Sequence, residues 1–138
     1  MNNPLASQSI VHHVLLVEDN RVHREVASAV LQRYGFQVVH AGDGQEALEQ
    51  LANGRFSLVL MDIDMPWMDG ATSAEFIRIM KLRGEIDDVP VIAVTADHTE
   101  ATYQRCMAAG MVDVIPKHIW KPKWEELIVE RLEKLLAH

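Results

Sequence analysis

Four carboxylates fall into two short clusters, Glu18-Asp19 and Asp62-Asp64, and each cluster comes directly after an apolar run. Val14 to Val17 precedes the first pair, and Leu58 to Met61 precedes the second. A carboxylate delivered by the C-terminal end of a buried parallel strand stands where open α/β sheets place their active sites. If the two strands are parallel neighbours, the acids converge on one edge of the sheet. Crowded carboxylates raise one another's pKa and attract a cation. An oxygen-only set, without Cys or paired His, suits a hard ion: Mg²⁺ ahead of Ca²⁺ or Zn²⁺. One isolated Asp would be explained by ending a strand and capping the next segment. Two pairs at two strand ends shift the balance towards a site. His12-His13 is an adjacent pair rather than one spaced by a helical turn, so a His-based metal site is not expected.

Those acids need strands to carry them and helices to cover the strands. Ile10 to Val17 reads as the first strand. Asn20 can cap a helix in which Val22, Val26, Ala29, Val30 and Tyr34 recur at helical spacing, and Gly35 stops it. Phe36 to Val39 is the second strand. Asp43-Gly44 reads as a turn, followed by a short helix with Ala47, Leu48 and Leu51 on one face, closed by Asn53-Gly54. The central strand runs into Asp62, and Pro66 and Gly70 break the chain into a loop. Thr72 or Ser73 can cap a third helix bearing Phe76, Ile77, Ile79 and Met80, closed near Gly84. Val89 to Val94 is a fourth strand, ending in Thr95. Thr99 to Ala109 is helical with Tyr103, Cys106 and Met107, and Gly110 ends it. Met111 to Ile115 is the fifth strand. Trp124, Leu127, Ile128, Leu132 and Leu135 make the last amphipathic helix. Strand and helix alternate five times with short connections, which predicts a parallel sheet with helices on both faces and right-handed crossovers.

Size and charge narrow the function. The chain has 138 residues, enough for one domain with a core of its own. No internal repeat, low-complexity segment or linker interrupts it. The formal net charge of −7 comes without a basic stripe, so nucleic acid is not an expected partner. Cys106 is the single cysteine, which excludes an intrachain disulfide and fits a reducing, cytoplasmic setting. Residues 1–9 read as a frayed tail, and residues 10–138 as the domain. The first ten residues lack the basic and apolar regions of a signal peptide, and no run approaches the length of a membrane span.

Four segments, in this order and with these gaps, carry a family likeness: VLLVEDN, MDIDMPWMDG, PVIAVTA and AAGMVDVIPK. Together they resemble the signatures of the response-regulator receiver domain, the chemotaxis-regulator type, from Val11 to Leu136. The resemblance implies a doubly wound, flavodoxin-like five-stranded parallel sheet in the order 2-1-3-4-5, flanked by five helices. It implies that Asp62 is the phosphoacceptor, attacking the phosphoryl group of a phosphohistidine on a sensor histidine kinase or histidine phosphotransfer protein. It implies Mg²⁺ held directly by Asp19 and Asp62, through water by Glu18, and by the backbone carbonyl of Asp64. Thr95 matches the hydroxyl that turns towards the phosphoryl group, and Lys117 the lysine that pairs with it. Asp64 and Asp97 match the positions that flank the path of the hydrolytic water, where they are expected to speed autodephosphorylation. The family's output surface, used for partners or a homodimer, is the face of the fourth helix, fifth strand and fifth helix.

Three departures from the family pattern stand out. Lys117 is followed by His118, whereas the usual Lys-Pro pair occurs only at Lys121-Pro122. Spacing from Gly110 favours Lys117 as the site lysine, the dipeptide favours Lys121, and the altered loop is expected in trans. The family's switch aromatic falls on Val114. Trp67 and Trp120 lie in predicted loops, where local packing and partner binding are the two readings. Two other classes compete with a signalling phosphoacceptor. Asp62-Ile63-Asp64 also matches the DxD of a haloacid-dehalogenase-type phosphatase, although that motif ends a first strand and here an acidic strand end precedes it. A pseudo-receiver, a purely structural interaction module, is opposed by the retained acids, Thr95 and a lysine. With no effector segment after His138, the chain is expected to be a stand-alone regulator or the receiver of a larger protein.

Overall fold

The computed structural model describes residues 11–64, 70–117 and 124–137. Each apolar run becomes a short strand: β1 (His13–Val17), β2 (Gln37–Ala41), β3 (Leu58–Asp62), β4 (Val91–Thr95) and β5 (Asp113–Pro116). Between and after them lie α1 (Arg21–Arg33), α2 (Gly44–Asn53), α3 (Gly70–Leu82), α4 (Glu100–Ala108) and α5 (Trp124–Leu136). All strand pairs are parallel, and the order is β2-β1-β3-β4-β5, as expected.

The period of two along each strand splits the interior into two cores. Val14, Leu16, Leu58, Leu60, Ile92, Val94 and Ile115 meet Ala27, Val30 and Leu31 of α1 and Ile128, Val129 and Leu132 of α5. Leu15, Val17, Val59, Met61, Val91 and Ala93 point to the other face, against α2, α3 and α4 through Leu51, Ile77 and Cys106. Every residue of β3 and β4 is buried, which is why both read as unbroken apolar runs rather than as alternating ones. Burial of each Val, Leu, Ile or Met side chain there contributes about 1.5–3 kcal/mol.

Helix starts are set by side-chain caps. Asn20 accepts from His23 N–H at 3.0 Å, and Thr99 from Thr102 N–H at 3.3 Å. Asp43 is no turn residue: it caps α2 through Glu46 N–H at 2.7 Å, and Gly44 is the first helical residue. The expected cap at Thr72 or Ser73 is also corrected, because α3 already begins at Gly70 and both residues lie inside its first turn. Helical periodicity places a face but does not mark where the first turn begins. β1 starts at His13, later than the apolar pattern suggested. Gly35 has φ +93 and lies just past α1, where its N–H donates to Gln32 C=O at 3.0 Å. Gly110 has φ +95 and abuts Arg78, whose Cδ would lie 3.0 Å from an added Cβ.

Register decides which side chains share the sheet's C-terminal edge. Val17 is level with Met61, Asp62 with Val94, and Thr95 with Pro116. Glu18-Asp19, Asp62, Thr95 and Lys117 therefore leave four adjacent strands, β1, β3, β4 and β5, at one edge.

Candidate functional site

At that edge Asp62 is 2% exposed, Glu18 5% and Thr95 fully buried. The buried negative charge has a nearby partner. Lys117 Nζ donates to Asp62 Oδ2 at 2.6 Å and to Glu18 Oε1 at 3.3 Å. Among the described residues, Lys117, placed by the backbone bond from its N–H to Thr95 C=O at 2.9 Å, is the lysine that reaches the acids. Lys121, His118, Trp120, Pro66 and Trp67 lie outside the described residues.

The electrostatics follow from burial. Glu18 is pushed up to about 8, first by desolvation, then by its contact with Asp62 and the charge there, with Lys117 pulling the other way. Burial alone would lower Lys117, but the hydrogen bonds and charges of Asp62 and Glu18 outweigh it and hold the ammonium above its ordinary range. Among the described residues, Glu18, Asp19 and Asp62 bring one carboxylate oxygen each to within 4.8 Å of one another. Asp19 is exposed, so the group opens to solvent on one side. An oxygen donor set with one open side and one buried, cation-paired side fits a hexacoordinate hard cation that keeps water ligands. His23, which the sequence did not single out, sits with Nδ1 3.6 Å from Glu18 Oε1 and lines a cavity of about 20 Å³ with Glu18, Asp62 and Lys117. Its position in the first turn of α1 follows from the Asn20 cap. Burial and Lys117 both lower its pKa.

The loops after β3 and β4 are tied together. Asp64 N–H donates to Asp62 Oδ1 at 2.8 Å. The Asp64 carboxylate turns towards β4, where Oδ1 accepts from Thr95 Oγ1 and Oδ2 from Ala96 N–H, both at 3.0 Å. Thr95 Oγ1 in turn accepts from Asp97 N–H at 3.0 Å. The Asp97 carboxylate turns towards α4, accepting from Thr99 N–H at 2.9 Å and Thr102 Oγ1 at 2.6 Å. Those two bonds hold it down at about 2. Val114, the residue expected at the family's switch-aromatic position, is half-buried on β5 against the core that faces α2 to α4.

A family model described as the response regulator receiver domain matches residues 14–129. Hybrid signal transduction histidine kinase M of Dictyostelium discoideum is 36% identical over 125 residues, covering 89% of this chain but 5% of that protein. The chain therefore spans a small part of that curated relative. Chemotaxis protein CheY4 of Vibrio cholerae superposes with a TM-score of 0.80 at 26% identity, covering 92% of this chain and all of the other. The receiver domain of a Pseudomonas aeruginosa sensor histidine kinase, solved with a magnesium ion coordinated in its active-site cleft, gives a TM-score of 0.78 at 29% identity over 94% of this chain and 100% of that one.

Proposed function

The chain belongs to the response regulator receiver family, and from that footing we propose that it accepts a phosphoryl group onto Asp62 from a phosphohistidine in a two-component or phosphorelay system. The observation that carries this reading is the buried Asp62 carboxylate, 2.6 Å from Lys117 and grouped with Glu18 and Asp19. An Asp62 oxygen forms the new P–O bond as the P–N bond of the donor breaks, and the leaving electron pair returns to the imidazole nitrogen. Transfer of this kind depends mainly on positioning and charge neutralisation. Lys117 supplies fixed positive charge at the acceptor. Asp64 N–H orients Asp62 from the other side.

The acid cluster fits Mg²⁺: Asp19 and Asp62 would hold it directly, Glu18 through water and Asp64 through its carbonyl, and the ion would supply charge neutralisation for the transferring oxygens. Thr95 and Lys117 are the residues that would then take phosphoryl oxygens. Hydrolysis completes the cycle: water forms a bond to phosphorus and Asp62 leaves as carboxylate. Asp64 and Asp97 are candidates to tune that step, although each carboxylate must first release the donors it now holds. On this reading the chain is no enzyme for external substrates, and it works in the cytoplasm. Among the described residues, no helix is long and apolar enough to cross a membrane.

The phosphatase reading is not favoured. Its general acid would be Asp64, whose carboxylate is bonded to Thr95 and Ala96. The donor is a sensor histidine kinase or phosphotransfer protein, and nucleic acid and membrane have no part. A homodimer would form through α4, β5 and α5, where Tyr103 and Val112 are exposed. Acetyl phosphate with Mg²⁺ should add one phosphoryl group to the intact mass of the wild type and none to Asp62→Asn. Labelling that persists in Asp62→Asn would place the acceptor elsewhere. Sedimentation of the labelled protein reads the dimer directly.

A further inference from the structure

Two donors that point at the acceptor loop already hold an anion. Thr95 Oγ1–H and Ala96 N–H each give one hydrogen bond, at 3.0 Å, to a different oxygen of the Asp64 carboxylate. Two oxygens of a phosphoryl group would use the same pair of donors in the same one-to-one manner. Among the described residues no second carboxylate shares them, because Asp97 is turned onto Thr99 and Thr102. Lys117 serves Asp62 and Glu18 instead.

We propose that the Asp64 carboxylate is a built-in occupant of the Thr95–Ala96 donor pair, which a phosphoryl group on Asp62 must displace before Thr95 can bind it. The proposal rests on the phosphoacceptor reading and adds a gate to it. Stand-in and acceptor are mechanically linked, since Asp64 N–H is bonded to Asp62 Oδ1 at 2.8 Å. A change at Asp62 is therefore felt at Asp64 without any long relay. Bonds from neutral donors to an ionised acceptor are among the stronger kind, so their loss is a real cost to the switched state. Thr95 is fully buried while Asp64 is exposed. The displaced carboxylate can pass to water, and the hydroxyl cannot, so the exchange has a direction: Asp64 leaves and Thr95 stays. Once displaced, Asp64 has free oxygens within the acceptor loop, and only then can it accept from a hydrolytic water. The gate and the lifetime role are thus successive states of one side chain.

The test uses beryllofluoride with Mg²⁺ as the phosphoryl mimic, titrated into the wild type, Asp64→Ala, Asp64→Asn, Thr95→Ala and the Asp64→Ala/Thr95→Ala pair. Binding is followed by amide NMR. Without any anion, the Ala96 amide resonance should move in Asp64→Ala, and an unmoved resonance would overturn the contact and the proposal. Asp64→Ala should bind beryllofluoride about tenfold more tightly than the wild type. Asp64→Asn keeps the size and one acceptor oxygen, and should lie between them. The gain from Asp64→Ala should shrink in the Thr95→Ala background, because one of the two contested donors is gone. An equal gain in both backgrounds would mean that only a nearby negative charge had been removed, and would overturn the gate. Ordinary binding by the wild type with no gain in Asp64→Ala would overturn the gate alone. Absence of binding in every protein would overturn the phosphoacceptor reading and the gate with it.

Discussion

Lys117 is the residue on which the charge balance of the site turns. It is the ammonium that meets two buried carboxylates, at 2.6 and 3.3 Å, with only 12% of its own side chain exposed. Removing one partner of a buried pair leaves the other charge uncompensated, which typically costs about 3–5 kcal/mol. The cost here should be smaller, about 1–3 kcal/mol, because Glu18, raised to about 8, already holds its proton near neutral pH and leaves Asp62 as the one charge uncompensated. Lys117→Ala should therefore lower the urea midpoint and also remove most of the phosphorylation-linked spectral change. Lys121→Ala should do neither, and a larger effect from Lys121→Ala would mean that the insertion shifts the lysine's register. At this scale the grouping was legible in the sequence. Asp62 and Thr95 end strands and Glu18, Asp19 and Lys117 come just after them, and strand ends were readable from apolar runs. The directions of side chains beyond those ends were not. The family resemblance puts Asp64 and Asp97 beside the site, but only the loop conformation turns one onto Thr95 and the other onto Thr102. His23 was missed because its place beside Glu18 depends on the approach of α1 and not on any motif.

The start of α4 is the element most directly wired to the site. Thr95 accepts from Asp97 N–H, Asp97 accepts from Thr99 N–H and Thr102 Oγ1, and Thr99 caps the helix through Thr102 N–H. A shift of the Thr95 hydroxyl is therefore passed to the first turn of α4 through two intervening side chains. This gives the output coupling a route that does not need an aromatic at Val114. Asp97 also makes the helix start sensitive to acid. Its folded pKa is depressed from 3.8 to about 2, so its stabilising contribution is fully present above about pH 4 and is lost as pH falls through 2. Asp97→Ala should lower the urea midpoint at pH 7, and the gap to the wild type should close as pH falls towards 2. A gap that stays constant over that range would show that the carboxylate charge is not what holds the turn. The start of this helix was legible in the sequence at Thr99, which is its cap rather than its first residue, whereas the expected cap of α3 was not where Thr72 and Ser73 suggested. Only Ala96 to Thr99 separate β4 from α4, whereas residues 63–69 separate β3 from α3 and leave more positions at which that helix could start.

Across the whole molecule, rigidity is unevenly shared, and the site straddles the difference. β3 and β4 are buried at every position, whereas β2 is buried only at Ala41 and β5 only at Ile115. The sheet order was implied by the family resemblance, whereas the residues themselves showed which strands are apolar throughout, and the edge strands read as weaker patterns because they are less buried. Asp62 and Thr95 thus stand at the ends of the two best-packed strands, while Lys117 follows the looser edge strand β5. Amides in fully buried strands exchange only on global opening, and edge strands exchange through smaller local openings. Hydrogen exchange should accordingly be slowest in β3 and β4 and faster in β2 and β5. Phosphorylation draws Lys117 towards a more negative acceptor, so added protection should fall on β5 and the start of α4, with β2 unchanged. The acceptor is best held still and its counter-charge best left able to follow, since a carboxylate that moved with its lysine would report nothing to the rest of the fold. Protection gained equally in β2 and β5 would point to general stiffening of the sheet and would remove the reason for assigning the moving part to the β4-to-β5 side.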